Sequence, residues 1–481
     1  MPGYNDLLAA ARRFAPSALL PTLAQVSTEQ VSRRTSSEWP DPWNIALIAR
    51  ECIAYSNEHR RGGPVTDRDL KRLRELTREL DDPYADSKFD ADAWESLKVR
   101  YSYLQIPFQT HQPLSELSRL LSVCGGDDAY YSRLGLEVVT ANLWSNLIGM
   151  PLATFAKAGF VIVSLARTNH GRFDAAELID AQLKRYGVSA TQVMHVFNTY
   201  FGAELGDLRI RAAADRNTIP SLRRLDTNPL LERPFVRLDD GQYIAPSMHL
   251  AESRLSLSAI YYIGIQAFGE AFARDMGKLI EAYVGRQLSQ LDRVALLPEQ
   301  PYGTRGHNGM TCDWILSIDG TTIIFEVKSA RIAQQGRVGA TEHFSDMRRD
   351  VGKALGKQIP ITVGLIKDRT SVFAGFDLPT DIYGVVITAE PHLRINRQYY
   401  RDRLPDPGCP YVVLSLADLE WFVASLRAGL DPTLLIRELT SSTYDLQEVI
   451  SEVATSAGIR EIPPNPLVIS VAEEVSPRQR R

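Results

Sequence analysis

Two short segments of the chain carry the residue types of a phosphodiester-cleaving metal site. The first is Thr311–Asp313, and the second is Ile323–Lys328, which ends in Glu326, Val327 and Lys328. Both are embedded in β-branched and apolar residues, so each is predicted to lie on a strand. Side chains alternate faces along a strand, and Glu326 and Lys328 should therefore point the same way. Burying such a pair is costly unless the two groups interact or bind a metal.

The two segments are also predicted to pair with each other as a β-hairpin. The run from Cys312 to Ile318 is β-prone, and Asp313 is its only charge before Asp319. Asp319-Gly320 is a turn signal, and Thr321–Val327 follows as the return strand. Two adjacent antiparallel strands can place Asp313 near the carboxylate of the second strand.

Such a pair of carboxylates suits a hard divalent cation. Mg²⁺ prefers oxygen ligands and often uses only one or two carboxylates together with waters and substrate phosphates. A bound cation can polarise the phosphate and activate a water. Lys328 would orient that water or stabilise charge in the transition state. Asp313, Glu326 and the Val327 carbonyl are the ligands that we expect for one Mg²⁺ or Mn²⁺ ion.

The arrangement resembles the PD-(D/E)xK nuclease superfamily, which has the restriction-endonuclease-like fold. The matching residues are Asp313, Glu326 and Lys328. The family often adds an acidic residue on the helix before the first core strand, and Glu281 is in the matching place. The resemblance implies that Glu281 reaches the metal directly or through water. Cys312 stands where the family has a proline, a position without chemistry.

Other interpretations of the same residues stay open. A Glu-x-Lys on a strand is often a solvated face with a cross-strand ion pair, and Glu281 could be an ordinary exposed helix residue. The fold could also serve as a non-catalytic module that binds nucleic acid or protein. RNA is an alternative substrate. The apolar surroundings and the intact set of Asp313, Glu326 and Lys328 favour an enzyme.

A basic stretch follows directly after these strands. The segment from Lys328 to Arg369 holds nine Lys or Arg residues and four Asp or Glu residues, a local net charge of +5. Such a stretch suits contact with a phosphate backbone, although a solvated helix face explains it equally well. The residues predicted to bind nucleic acid are Arg331, Arg348, Arg349, Lys353, Lys357 and Gln358. The resemblance also implies that a later helix, predicted over 343–358, gives Gln358 or Lys353 to the site.

Composition sets broad limits. The chain has 481 residues, enough for two to four domains, and is 44% hydrophobic and 23% charged, as in ordinary globular proteins. Its net charge of −4 gives no global basic signature, so any nucleic-acid contact must be local. The four scattered cysteines suggest neither a zinc site nor disulfides, and a reducing cytoplasm is expected. The apolar stretch 147–166 contains Pro151 and Lys157 and is predicted to be a buried helix.

The predicted fold is of the α+β or α/β class. Residues 1–227 are expected to form a mostly helical domain, with Thr66 capping one helix. Residues 228–430 should hold a restriction-endonuclease-like mixed β-sheet flanked by helices, including buried strands at 382–387 and 411–414. Residues 431–481 should form C-terminal helices and a polar tail.

The residues and the resemblance together predict a Mg²⁺-dependent endonuclease. DNA is the favoured substrate because most of the superfamily cuts DNA. Restriction, anti-phage defence and repair are the settings that this implies. The helical N-terminal domain would serve recognition or regulation, through a protein partner or a second copy of the chain. No membrane contact is expected.

Overall fold

A computed structural model describes residues 3–32, 36, 38–59, 63–80, 95, 98–99, 101–103, 105, 108, 112–214, 216, 223–224, 226–292, 294–304, 307–329, 331, 348–376, 379, 381–442 and 446–475. These residues form a mixed helix-and-sheet structure, with sheets of four, five and two strands. The chain divides into two compact units. None of the helices in the described ranges is long and apolar enough to cross a lipid bilayer.

The first unit is drawn from residues 1–121, 141–267 and 471 onward. Its principal helices are Tyr4–Ala11, Pro16–Val31, Pro42–Tyr55, Asp67–Arg78, Leu143–Ile148, Leu152–Thr168, Ala190–Val196, Leu205–Ala214 and Met248–Ser253. Thr66 caps one of them as predicted, because its hydroxyl accepts a hydrogen bond from the Asp69 N–H. The predicted buried helix is also present at Leu152–Thr168.

A four-stranded sheet completes the first unit. Its strands are β1 (Arg172–Phe173), β2 (Gly202–Glu204), β3 (Phe235–Arg237) and β4 (Tyr243–Ile244), in the order β1-β4-β3-β2. Strands β3 and β4 form an antiparallel hairpin. Because this hairpin pairs with β1 and β2 from the N-terminal half, the chain stays in the first unit well beyond residue 227.

The second unit holds residues 122–140 and 268–470. Its strands are β5 (Ala295–Pro298), β6 (Pro301–Thr304), β7 (His307–Met310), β8 (Trp314–Ile318), β9 (Thr321–Lys328), β10 (Ile382–Thr388) and β11 (Tyr411–Ser415). Strands β6 and β7 pair as a separate hairpin, and the others form a sheet in the order β11-β10-β9-β8-β5. Antiparallel pairing joins β5, β8 and β9, and parallel pairing joins β9, β10 and β11.

The turn between β8 and β9 and the burial of β10 both follow from the local sequence. Asp319 and Gly320 have φ values of 44° and 82°, as a two-residue hairpin turn requires, and they connect β8 to β9 as predicted. Strand β10 is buried along its whole length, which is expected for a strand with parallel neighbours on both sides. The strands predicted at 382–387 and 411–414 are therefore both present.

Helices flank the sheet and connect its parallel strands. The chain is helical over 348–353, forms a π-helical turn at Ala354–Gln358, and continues as the helix Ile359–Lys367. The remaining principal helices are Asp128–Arg133, Gln398–Arg401, Leu416–Arg427, Pro432–Ser441, Leu446–Ser456 and Pro466–Val475. Pro432–Ser441 packs against β10 and β11.

This division differs from the predicted one. The main break lies between Ala267 and Phe268, inside the long helix Leu257–Leu288, rather than at residue 227. Gly269 interrupts that helix with φ 57° and ψ −136°, a conformation that favours glycine. Residues 431–470 belong to the second unit, in which Leu446–Ser456 packs against neighbouring helices. The last helix, Pro466–Val475, extends to the last described residue of the chain, and the predicted polar tail lies outside the described residues.

Candidate active site

The predicted acidic residues lie at one end of the five-stranded sheet. Pro298 of β5 pairs with Trp314 of β8, which pairs with Phe325 of β9. The next residue after Pro298 is Glu299, the residue before Trp314 is Asp313, and the residue after Phe325 is Glu326. Strand pairing therefore brings three carboxyl-bearing residues side by side, and one of them, Glu299, was not predicted.

Asp313 stands where β8 begins, and it binds the main chain of the neighbouring strand. Its Oδ2 accepts a hydrogen bond of 2.6 Å from the Val327 N–H. The N–H and C=O of one strand residue face the same neighbour, so the Val327 carbonyl also faces the Asp313 side. This orientation is compatible with the predicted role of that carbonyl, which stays a prediction.

Glu326 is the centre of a buried hydrogen-bonded group. Its side chain is 1% exposed, and its Oε1 accepts a hydrogen bond of 2.6 Å from Lys328 Nζ. Lys328 Nζ also donates to Gln358 Oε1 at 2.7 Å, and Gln358 Nε2 donates to Glu326 Oε1. Glu326 and Lys328 thus share one face of β9, as predicted. Because the Lys328 side chain is only 17% exposed, the pair does not lie on a solvated strand face.

Gln358 reaches this group from the helical segment that follows β9. It is the last residue of the π-helical turn Ala354–Gln358, a helix irregularity that is frequent at functional sites. Thr362, one turn later, accepts a hydrogen bond of 2.9 Å from the Cys312 N–H. This contact holds the helix next to Asp313. A proline at position 312 could not donate that bond, which gives Cys312 a structural role of its own.

Burial makes the ionised forms of Asp313 and Glu326 unfavourable. Burial raises the pKa of Asp313, and the charge of Glu326 raises it further, against the opposing hydrogen bond from Val327. Burial likewise raises the pKa of Glu326, although Lys328 lowers it. A hydrogen bond from the Cys312 thiol also lowers the pKa of Glu326. A nearby cation would favour the ionised form of both carboxyls.

Glu281 is partly buried beside these residues. Trp314 Nε1 donates a hydrogen bond of 3.0 Å to the Glu281 carbonyl, which ties the helix Leu257–Leu288 to β8. Burial raises the pKa of Glu281, and the charges of Glu299 and Glu326 raise it further, against the opposing charge of Lys278. Glu281 therefore lies within electrostatic range of the strand residues.

Glu299 was missed by sequence reasoning, and one signal could have found it. It stands directly after β5, and only Gln300 separates it from the hairpin of β6 and β7, which leads back to Asp313. Carboxylates that bracket a hairpin are brought together at its base.

The residues predicted to bind nucleic acid fall into separate groups. Arg348, Arg349, Lys353 and Lys357 are exposed, and Arg349 pairs with Asp350 at 2.9 Å. Arg331 is buried, and its Nη1 bonds Glu390 at 2.7 Å. The Arg331 side chain is 5% exposed, which leaves little of the guanidinium open to a phosphate backbone, and the predicted contact stays a prediction. Gln358 contacts the site rather than solvent, and residues 343–347 lie outside the described part of the chain.

The carboxylates of Asp313 and Glu326 offer the oxygen ligands that a hard divalent cation prefers. In the described ranges, no three His, Cys, Asp or Glu side chains are grouped to hold a metal ion. Mg²⁺ needs fewer protein ligands, because one or two carboxylates commonly suffice when waters and phosphates complete its shell. Asp313 and Glu326 supply such a pair. Glu326 Oε2 is a buried carboxylate oxygen that no described N–H or O–H group bonds, and the weakly donating Cys312 thiol acts on the same carboxylate.

Comparisons of the chain with protein-family models, curated proteins and solved structures find no match.

Proposed function

We propose that the chain is a divalent-cation-dependent nuclease that hydrolyses phosphodiester bonds of DNA. The observation that carries the proposal is the group formed by Glu326, Lys328 and Gln358 beside Asp313. It combines buried carboxylates, a lysine and an amide at the end of one sheet. Carboxylates that hold a divalent cation, together with a lysine that stabilises developing charge, can promote hydrolysis of a phosphate diester.

Each residue has a distinct proposed role. Asp313, Glu326 and the Val327 carbonyl would hold one Mg²⁺ or Mn²⁺ ion, with Glu281 reaching it directly or through water. The ion would polarise the phosphate and lower the pKa of a bound water. Lys328 would orient the attacking water or stabilise developing negative charge. Gln358 would position Lys328 and Glu326 through its two hydrogen bonds.

The exposed cations on the helical segment after β9 support contact with nucleic acid. Arg348, Lys353 and Lys357 are exposed on the segment that carries Gln358 to the site. A phosphate backbone bound there would continue towards the carboxylates. DNA as the substrate, and restriction or anti-phage defence as the setting, come from the resemblance to the PD-(D/E)xK superfamily. The first unit is proposed to recognise a partner or regulate cleavage.

A cleavage assay tests the proposal. The full chain is incubated with plasmid, linear duplex, single-stranded DNA and RNA, each with Mg²⁺, Mn²⁺ or EDTA. Asp313→Asn keeps the side-chain shape but weakens cation binding, and Asp292→Asn is the matched control because Asp292 is exposed. We expect cation-dependent cleavage of DNA that only Asp313→Asn abolishes. Cleavage of no substrate, or full activity of Asp313→Asn, contradicts the proposal, and cleavage of RNA alone reassigns the substrate.

A further inference from the structure

Two arginines of the first unit follow elements that pack against each other. The helix Met248–Ser253 packs against the short 3₁₀ turn Pro229–Leu231. Arg254 comes directly after that helix, and Arg233 comes two residues after that turn. The packing therefore places both arginines in one part of the first unit.

Arg233 is held beside Tyr200 by the main chain on either side of that tyrosine. Arg233 Nη1 donates to the Asn198 carbonyl at 2.8 Å and to the Gly202 carbonyl at 3.2 Å. Asn198 and Tyr200 lie in a π-helical turn, a helix irregularity that is frequent at functional sites. The Tyr200 ring packs edge-on against Phe155, with ring centroids 5.3 Å apart. These contacts fix the positions of Arg233 and Tyr200.

Positive charge exceeds negative charge around these side chains. Burial and, after it, the charge of Arg233 lower the pKa of Arg254 to about 10, whereas Glu232 and Tyr200 act in the opposite direction. Burial raises the pKa of Tyr200, and the charges of Arg254 and Arg233 oppose that rise. Glu232 compensates the arginines poorly, because its side chain is 70% exposed and its Oε2 bonds Arg211 at 2.7 Å.

The guanidinium of Arg254 gives an independent sign of a ligand. Its Nε is buried and has no hydrogen-bond partner among the described residues. A buried donor without an acceptor is costly, and more so when it belongs to a charged group. Arg254, Arg233 and Tyr200 are each partly exposed, so an acceptor from solvent can reach them.

The donors and the charge of this cluster suit a phosphate group. A guanidinium binds phosphate oxygens through parallel N–H groups, and a tyrosine hydroxyl can donate a further hydrogen bond. A phosphate monoester has a second pKa of about 6 and is therefore mostly a dianion near neutral pH. Two arginines balance that charge, whereas a carboxylate would balance only one of them.

We propose that Arg233, Arg254 and Tyr200 form a binding site for a phosphate group, carried by free phosphate or by a small phosphorylated molecule such as a nucleotide. Arg254 binds the phosphate through Nε, and Arg233 and Tyr200 add charge and hydrogen bonds. The site uses no residue of the proposed nuclease centre and does not depend on the proposed function.

Isothermal titration calorimetry on the full chain tests the inference. The ligands are inorganic phosphate, adenosine 5′-monophosphate, adenosine and acetate, each near neutral pH with EDTA, so that no divalent cation recruits the phosphate elsewhere. We expect phosphate and the nucleotide to bind, and adenosine and acetate to bind at least 10-fold more weakly. Tighter binding of the nucleotide than of phosphate identifies a nucleotide site, and equal binding identifies a site for the free ion.

A substitution at Arg254 separates this site from other basic surface. We expect Arg254→Gln to weaken phosphate binding by about 10- to 100-fold, because a charge-assisted hydrogen bond is lost. Phosphate should raise the melting temperature of the wild type but not that of the variant. Arg68→Gln is the control, since Arg68 is an exposed arginine of the same unit, and it should bind like the wild type.

Arg254→Lys serves where Arg254→Gln does not fold, and it should also bind more weakly because lysine lacks the planar guanidinium.

Several results would overturn the inference. A wild-type chain that binds neither phosphate nor the nucleotide contradicts it. Adenosine or acetate binding as tightly as phosphate contradicts the assignment to a phosphate group. Wild-type phosphate affinity in folded Arg254→Gln, or in Arg254→Lys where the first variant does not fold, excludes Arg254 from the site. Failure of both variants to fold would show that Arg254 is structural. None of these results bears on the proposed nuclease, whose own assay needs a divalent cation.

Discussion

Lys328 is the residue at which chemistry and fold can be separated. Its ammonium group donates to Glu326 and Gln358, and Gln358 donates a separate hydrogen bond to Glu326 that does not involve Lys328. We expect Lys328→Ala to fold and bind nucleic acid but to cleave on the order of 10²–10³ times more slowly. Single-turnover cleavage and filter binding measure the two properties.

Lys71→Ala is the control for this substitution, since Lys71 is an exposed lysine on the helix Asp67–Arg78. Undiminished cleavage by Lys328→Ala would show that the buried ion pair is structural.

Glu252 gives a prediction about pH and stability in the first unit. Burial raises the pKa of this carboxyl from about 4.5 to about 7, against the opposing charge of Arg167. The folded protein therefore holds the proton more tightly than the unfolded chain. The associated stability is complete below pH 4.5 and is lost as pH rises towards 7. The loss is on the order of 3 kcal/mol.

We expect Glu252→Gln to remove this pH dependence. Relative to the wild type, the variant should gain stability between pH 5 and pH 8, as measured by urea unfolding at each pH. Glu232→Gln is the control, because the Glu232 side chain is 70% exposed. Parallel wild-type and Glu252→Gln stability profiles over this range would contradict the assignment.

Among the elements, the helix Leu257–Leu288 and strand β8 are joined by a close contact at Gly285. A Cβ atom added at Gly285 would lie 2.1 Å from the Trp314 ring, whereas at Gly277 in the same helix the nearest atom is 3.6 Å away. Pro298, the strand partner of Trp314, directly precedes Glu299. The Trp314 indole N–H donates to the Glu281 carbonyl. The helix and the acidic residues should therefore respond together to a change at this contact.

We expect Gly285→Ala to destabilise the second unit by about 1–3 kcal/mol, because the ring must move. Gly277→Ala should be neutral or stabilising, since alanine favours a helix. Thermal unfolding of the two variants measures the difference. Equal melting temperatures for both variants would contradict a close contact between Gly285 and the Trp314 ring.

At the scale of the whole molecule, the second unit needs a segment from the N-terminal half of the chain. Asp275 is 1% exposed, and its carboxylate accepts hydrogen bonds from the N–H groups of Glu137, Val138 and Val139. These residues lie in the segment 122–140, which belongs to the second unit. A fragment that starts at the sequence-predicted boundary of 228 would lack all three donors.

We therefore expect the fragment 228–481 to unfold less cooperatively than the intact chain, because it leaves a buried carboxylate without its partners. Adding a peptide of residues 122–140 should restore part of the loss. Urea unfolding and amide hydrogen exchange measure both effects. A fragment with the stability of the second unit in the intact chain would show that the segment is dispensable.

The sequence alone determined the local elements and the residues that strand alternation governs. The pattern of apolar residues located β8 to β11, and Asp319-Gly320 specified the turn that aligns Asp313 with β9. Alternation along β9 placed Glu326 and Lys328 on one face, where they form a hydrogen bond. These features depend on neighbours a few residues apart, so sequence patterns carry them.

The contacts between distant segments depend on how the whole chain folds and cannot be predicted from local patterns. The burial of Arg331 against Glu390, the approach of Gln358 to Glu326 and the neighbourhood of Glu299 and Glu281 join residues far apart in the chain. The same holds for the segment 122–140, which the sequence assigned to the N-terminal domain. Local propensity does not encode such contacts, because they depend on how strands pair and helices pack across the whole unit.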